Sequence, residues 1–248
     1  MIMYKVFNIF FLTLGMVYSQ NIDSLFSSGN DSYNKNQFDV SVIAYENILS
    51  QGFYSADLYY NLGNAYYRLE DFANARWSYE MGINIDPRNK DMIHNLMLTK
   101  KKIPNTIETP DSQILNLINN FLTSFTYGDF VLFSSIMLLL YSICFIIYRL
   151  MPSKPIFVSY YVFIVLFFIG TSFSVIKFLW ERNNNFGIIL NDETKLYSAP
   201  FLNENIKISI FFSGNKVKIE QTTDKWIEIS SIDGRKGWIR LEDIRTLD

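Results

Sequence analysis

The chain of 248 residues contains one histidine, His94, and one cysteine, Cys144. A zinc cluster needs three or four such ligands and a disulfide framework needs paired cysteines, so neither can be assembled. Cys144 lies within a long apolar run and His94 within a polar stretch, so the pair cannot meet as a nucleophile and its base. The acidic pairs Glu70-Asp71 and Asp192-Glu193 fall at turns beside solvent, where neighbouring carboxylates are simply hydrated. The chain has no Gly-x-Ser-x-Gly elbow, no His-Glu-x-x-His pair and no phosphate-cradling glycine loop. The expectation is a non-enzyme with no catalytic residue, no metal and no cofactor. What chemistry remains is recognition by tyrosine, tryptophan and asparagine side chains.

The elements that must position those side chains follow from where the apolar residues are gathered. Charged residues make up 19% of the chain and hydrophobic ones 49%, whereas a soluble domain averages about 25% charge. With 22 basic and 24 acidic residues the net charge is −2, which argues against a nucleic-acid partner. Lys5 precedes an apolar stretch from Val6 to Val17, too short for a comfortable span, and residues 1–19 read as a signal peptide cleaved after Ser19. Two longer runs, 130–148 and 156–177, contain no charge before Lys177 and have the length of transmembrane helices. Between them, residues 149–155 carry Arg149, Lys154 and two prolines, which predicts a tight cytoplasmic connector. Residues 106–129 form a linker in which Ile114–Tyr127 is spaced for an amphipathic helix on the membrane surface. Everything before and after this hairpin would lie on one exported face, and Cys144 would be inert within the span.

Residues 20–105 carry a repeat. Tyr59-x-x-Leu62-Gly63-x-x-Tyr66, followed by Phe72, Ala75, Tyr79, Gly82 and Pro87, resembles the tetratricopeptide repeat family, with Gly82 where the family usually has alanine. One 34-residue period earlier stand Leu25, Gly29, Phe38, Ser41 and Tyr45, so copies are expected at 22–55 and 56–89. A capping helix follows from about Asn89 to Lys102. The resemblance implies antiparallel helix pairs and a concave face lined by the first helix of each pair. Groove positions would be Phe26, Asn30 and Tyr33, then Tyr60, Asn61, Asn64 and Tyr67, then His94, Leu98 and Lys101. Asn30, Tyr33, Tyr60, Asn61, Asn64, Tyr67 and His94 are the candidate partner contacts. A carboxylate clamp of the kind found in this family is rejected, because Phe26, Asp91 and Asn95 occupy its cationic slots. An extended peptide or a partner helix suits this polar-aromatic groove better.

After the short polar linker Asn183-Asn-Asn185, the pattern changes from Phe186 onward to short alternating strands, five of them expected, with Asp233-Gly234 as a hairpin turn. Leu196-Tyr-Ser-Ala-Pro200, Asp224-Lys-Trp-Ile-Glu-Ile229 and Asp233-Gly-Arg-Lys-Gly-Trp-Ile239 resemble the bacterial SH3 domain family across 183–248. That implies a small β-barrel. Trp226 and Trp238 read first as packing residues. Tyr197, Trp226 and Trp238 are the candidate contacts for peptidoglycan or a proline-rich peptide.

The fold expected is therefore multi-domain: an all-α tetratricopeptide repeat stack, a two-span transmembrane helical hairpin and a C-terminal all-β SH3-like barrel. This order resembles the BatE-like family of the Bacteroides aerotolerance operon. The resemblance implies a multi-pass protein of the bacterial inner membrane, its repeats and SH3 domain in the periplasm, acting with other membrane proteins of a Bat-type complex. A non-catalytic scaffold is the first expectation, and a peptidoglycan-binding anchor the alternative.

Overall fold

The computed structural model describes residues 22–104, 121, 123–183, 185–201 and 207–247. The signal-peptide reading of 1–19, and most of the amphipathic stretch expected at 114–127, lie outside these residues. Among the described residues, seven long helices and one antiparallel sheet make up most of the chain, with a 3-10 turn at Leu241–Asp243.

Five helices form a stack: α1 (residues 22–34), α2 (Phe38–Ser50), α3 (Ala56–Arg68), α4 (Phe72–Ile85) and α5 (Lys90–Lys102). Local chemistry starts each of the last three, because the side chains of Ser55, Asp71 and Asn89 accept from the backbone N–H of Leu58, Asn74 and Met92. Such caps contribute about 1 kcal/mol each. Lys100, Lys101 and Lys102 lie in the last turn of α5, where cations complement the helix dipole.

The 34-residue period seen in the sequence is repeated in three dimensions. Asn36 and Glu70 both take positive φ, 58° and 61°, as the chain turns into α2 and α4. A Cβ on Gly29 or Gly63 would stand 2.5 or 2.6 Å from the ring of Tyr45 or Tyr79, so only glycine lets the paired helices come so close. Tyr45, Leu58, Tyr59, Leu62, Ala65 and Trp77 are buried in the core between them.

Two long helices follow, α6 (Tyr127–Leu150) and α7 (Lys154–Asn183), slightly longer at both ends than the runs read from sequence. They are antiparallel: Phe130 stacks on Phe173 at one end, and Tyr148 meets Phe157 and Tyr160 at the other. A capping box of Thr126 and Asp129 starts α6. Both are long and apolar enough to cross a membrane, and only 11% and 17% of their most apolar windows is buried within the protein. A soluble core helix would be mostly covered, so these helices turn their apolar sides outward.

The C-terminal unit is a seven-stranded sheet, two strands more than expected from sequence. Its strands are β1 (Phe186–Ile189), β2 (Thr194–Tyr197), β3 (Lys207–Phe211), β4 (Lys216–Thr222), β5 (Trp226–Ser230), β6 (Lys236–Arg240) and β7 (Ile244–Thr246). The order is β3-β2-β6-β5-β4-β1-β7, and every pairing is antiparallel. The added strands pair with each other and are only four and three residues long, too short to show a clear alternation in the sequence. Ile189, Leu196, Phe211, Val217, Ile227, Ile229, Ile239 and Ile244 fill the core. Gly234, at φ 87°, makes the tight turn between β5 and β6.

Candidate partner-binding surfaces

On the first-helix face of the stack, side-chain contacts repeat at the sequence period. Tyr45 Oη donates to Asn30 Oδ1 at 2.6 Å, and Asn61 Nδ2 donates to the same oxygen at 3.0 Å. One period on, Tyr79 Oη donates to Asn64 Oδ1 at 2.7 Å and Asn95 Nδ2 donates to it at 2.9 Å. Burial pushes the Tyr45 and Tyr79 phenols above their ordinary range, so both remain donors at any working pH. Asn30, Asn61 and Asn64, expected from sequence to meet a partner, have these atoms committed to a ladder that ties one helix pair to the next. Asn95 is a fourth rung that the sequence reading missed. Its signal was legible as a separation of 31 residues from Asn64, the same as between Asn61 and Asn30.

The aromatic candidates are differently placed. Tyr33 lies edge-on to Phe38 at 5.2 Å and Tyr67 edge-on to Phe72 at 5.5 Å, while Tyr60 tilts against Tyr79 at 6.4 Å. All three are half-buried, each supported from behind with part of its ring left in solvent. His94 is exposed on α5, near the exposed Met97 and Leu98. The result is an aromatic face on a rigid backing, suited to apolar and hydrogen-bonding contact with a partner.

The C-terminal sheet offers a second surface. Pro200, Phe201, Trp226 and Leu241 wall an open cleft of about 830 Å³, with Asp224, Lys225, Arg240 and Glu242 around it. Tyr197 is buried and meets Trp226 edge-on at 5.7 Å, fixing the indole as the wall of the cleft. Trp238 is half-buried on β6, opposite Tyr197 and Glu228, and is not part of the cleft wall. Of the three candidates, Trp226 lines the cleft and Tyr197 packs against it.

Residues 191–245 match the bacterial SH3 domain family. The match begins after β1, so that strand lies outside it. No curated protein matches the chain. Among the described residues no group of three or more His, Cys, Asp or Glu side chains could hold a metal ion.

The sequence reading gives the repeat region and the SH3 domain as two distinct units on one side of the hairpin, without a contact between them. The SH3 domain is docked on the second-helix face of the stack, by residues that sequence did not single out. Arg245 of β7 makes two bonds of 2.9 Å to the carboxylate of Glu46, and its guanidinium lies 3.4 Å from the centre of the Trp77 ring. Trp77 Nε1 donates to the Thr246 carbonyl. Lys216 of β4 pairs with Glu80, which also pairs with Arg76 at 2.9 Å, and Arg76 donates to the Gly214 carbonyl at 2.9 Å. Glu46 and Glu80 are one 34-residue period apart, so equivalent glutamates of the two repeats hold the two barrel cations.

Burial by itself would raise the Glu80 carboxyl, but Lys216 and Arg76 override it and hold the group down at about 2. Arg76 and Glu80 are 3% and 8% exposed, so this is a buried charge network with each member paired. Apolar contact supplies the rest. Successive residues of β1 point opposite ways: Ile188 joins the helical core with Leu190 and Leu247, and Ile189 joins the barrel core.

Proposed function

We propose that this chain is a non-catalytic scaffold of the bacterial inner membrane. Its tetratricopeptide-type repeats and SH3 domain stand together on one side of the bilayer, rooted by α6 and α7. The observation that carries this reading is the division of the helical stack into two faces. One face is occupied by the SH3 domain through Glu46, Trp77 and Glu80, while the other presents Tyr60, Tyr67 and His94 to solvent. A stack held rigidly with one aromatic face outward suits a partner's helix or extended segment. The antiparallel hairpin supports a common side for both modules, and the signal-peptide reading together with the basic connector supports the periplasm as that side. The BatE-like order of modules supports partners among the membrane proteins of a Bat-type aerotolerance complex.

Affinity capture of the intact protein in mild detergent tests this. Tyr60→Ala with Tyr67→Ala and His94→Ala should lose the co-purifying membrane proteins while the protein stays folded. Asn64 is left untouched, because its oxygen holds Tyr79 and Asn95. Capture unchanged by the triple variant would refute the groove reading.

A second reading rests on the cleft of the SH3 domain. Its apolar walls and charged rim suit a peptidoglycan stem peptide, which would make the protein a wall-binding anchor. Co-sedimentation of intact protein with purified sacculi, abolished by Trp226→Ala, would favour that reading over the first.

A further inference from the structure

The helical stack has two ends, and one of them is related to the membrane spans. A Cβ on Gly82 would meet the Met92 side chain and stand 3.2 Å from Cβ of Tyr59. The first turns of α3 and α5 and the last turn of α4 are therefore level, and the turns 51–55 and 86–89 lie at the same end of the stack. From that end Arg88 reaches Asp129, in the capping box that starts α6, at 3.3 Å. The turns joining α1 to α2 and α3 to α4, with Leu69 at the second, lie at the opposite end.

The end nearer the spans has its own surface chemistry. Tyr54 is 64% exposed and Ile85 44%. Arg88 and Lys90 are exposed beside them. Asp57 and Asp91 are exposed at the same end, so its charge is mixed, and what suits it to the headgroup layer is the tyrosine with the aliphatic side chain, the ring taking the polar–apolar boundary. We infer that this end of the stack, through Tyr54, Ile85, Arg88 and Lys90, seats on the lipid headgroup layer, so that the stack stands on the membrane. The inference rests on α6 and α7 spanning the bilayer. The occupant is lipid because the surface is continuous with the start of α6 through the Arg88–Asp129 contact.

Seating the stack in this way would fix the direction of its partner face. The helix axes would run away from the bilayer, and Tyr60, Tyr67 and His94 would face sideways, towards partners embedded in the same membrane.

Site-directed spin labelling of the full chain tests the inference. Cys144→Ala provides the background for Tyr54→Cys, Ile85→Cys, Leu69→Cys and Leu139→Cys, each nitroxide-labelled and reconstituted in vesicles of phosphatidylethanolamine and phosphatidylglycerol. Leu69 is as exposed as Ile85, at 44%, but lies at the far end, and Leu139 is mid-span. Labels at 54 and 85 should collide with a water-soluble nickel chelate at least about threefold less often than the label at 69, as lipid-seated side chains do. Equal collision at 54, 85 and 69, with 139 protected, would overturn this inference and leave the spans standing. Free collision at 139 would overturn both. Protection at 54 that disappears as protein is diluted in lipid would assign the surface to a second copy of the chain and overturn the lipid assignment.

Discussion

The two faces of the helical stack are built on different principles. On the first-helix face nearly every contact has a counterpart 34 residues away: Phe26 with Tyr45 and Tyr60 with Tyr79, Tyr33 with Phe38 and Tyr67 with Phe72, and the two asparagine rungs. On the second-helix face the period survives only in Glu46 and Glu80. Positions equivalent to Arg76 and Trp77 are Val42 and Ile43, and Ile43 is 68% exposed. Contacts that obey the period build the stack, because each repeat must meet the next in the same way. Departures from it mark where one particular neighbour, the SH3 domain, sits.

This contrast can be broken most sharply at Glu80. Replacing it by leucine leaves Arg76 buried and Lys216 without its carboxylate, and should destabilise the docked state by about 3–5 kcal/mol. A lowered unfolding midpoint in mild detergent, with faster proteolysis between α7 and β2, would register it. The same carboxyl gives the joint a pH dependence. Its folded value lies near 2 against an ordinary 4.5, so its stabilisation is complete above about 4.5 and is lost as pH falls towards 2. Acid titration of the wild type should show undocking in that window, and Glu80→Gln should flatten the profile.

A periodic contact should respond differently. Gly63→Ala drives a methyl into the Tyr79 ring and should cost about 1–3 kcal/mol by overpacking. It should loosen the repeats while leaving the Arg245–Glu46 pair formed, which amide exchange of the stack and the SH3 domain would separate. Arg245→Lys comes next. It keeps the charge but loses the two-pronged bond and the stacking on Trp77, and should weaken docking by about 1–2 kcal/mol. His94→Ala should be the smallest, within about 0.5 kcal/mol by thermal unfolding, since the ring is exposed. A large loss there would mean that the partner face is needed for folding.

Much of this organisation could be read from the chain. Gly29, Gly63, Tyr45 and Tyr79 appear at the right spacing because a close helix pair needs the same small-against-large contact in every copy. The two long apolar helices were legible because twenty or so uncharged residues have few alternatives, and the SH3 core because Val217, Ile227, Ile229 and Ile239 alternate with polar neighbours. The candidate surfaces were less legible. Asn30, Asn61 and Asn64 have residue types that serve equally for binding a partner or bridging two helices, and only their hydrogen bonds in the folded chain choose between these roles. Glu46, Arg76, Trp77, Glu80, Lys216 and Arg245 are scattered over 200 residues, and nothing in their local spacing links them.

The sequence by itself determined the local and periodic features: where helices start, which positions are glycine, which runs are apolar enough for a bilayer, and which short segments alternate as strands. These depend on neighbours within about 34 residues, and that information is present in the order of residues. Only the tertiary structure decided that the SH3 domain rests on the stack and which of the stack's faces is left uncovered by it. The physical reason is that docking depends on charges being buried and paired across a surface. Desolvation makes an unpaired Glu80 or Arg76 unfavourable, and whether each finds its partner is settled by where distant segments come together.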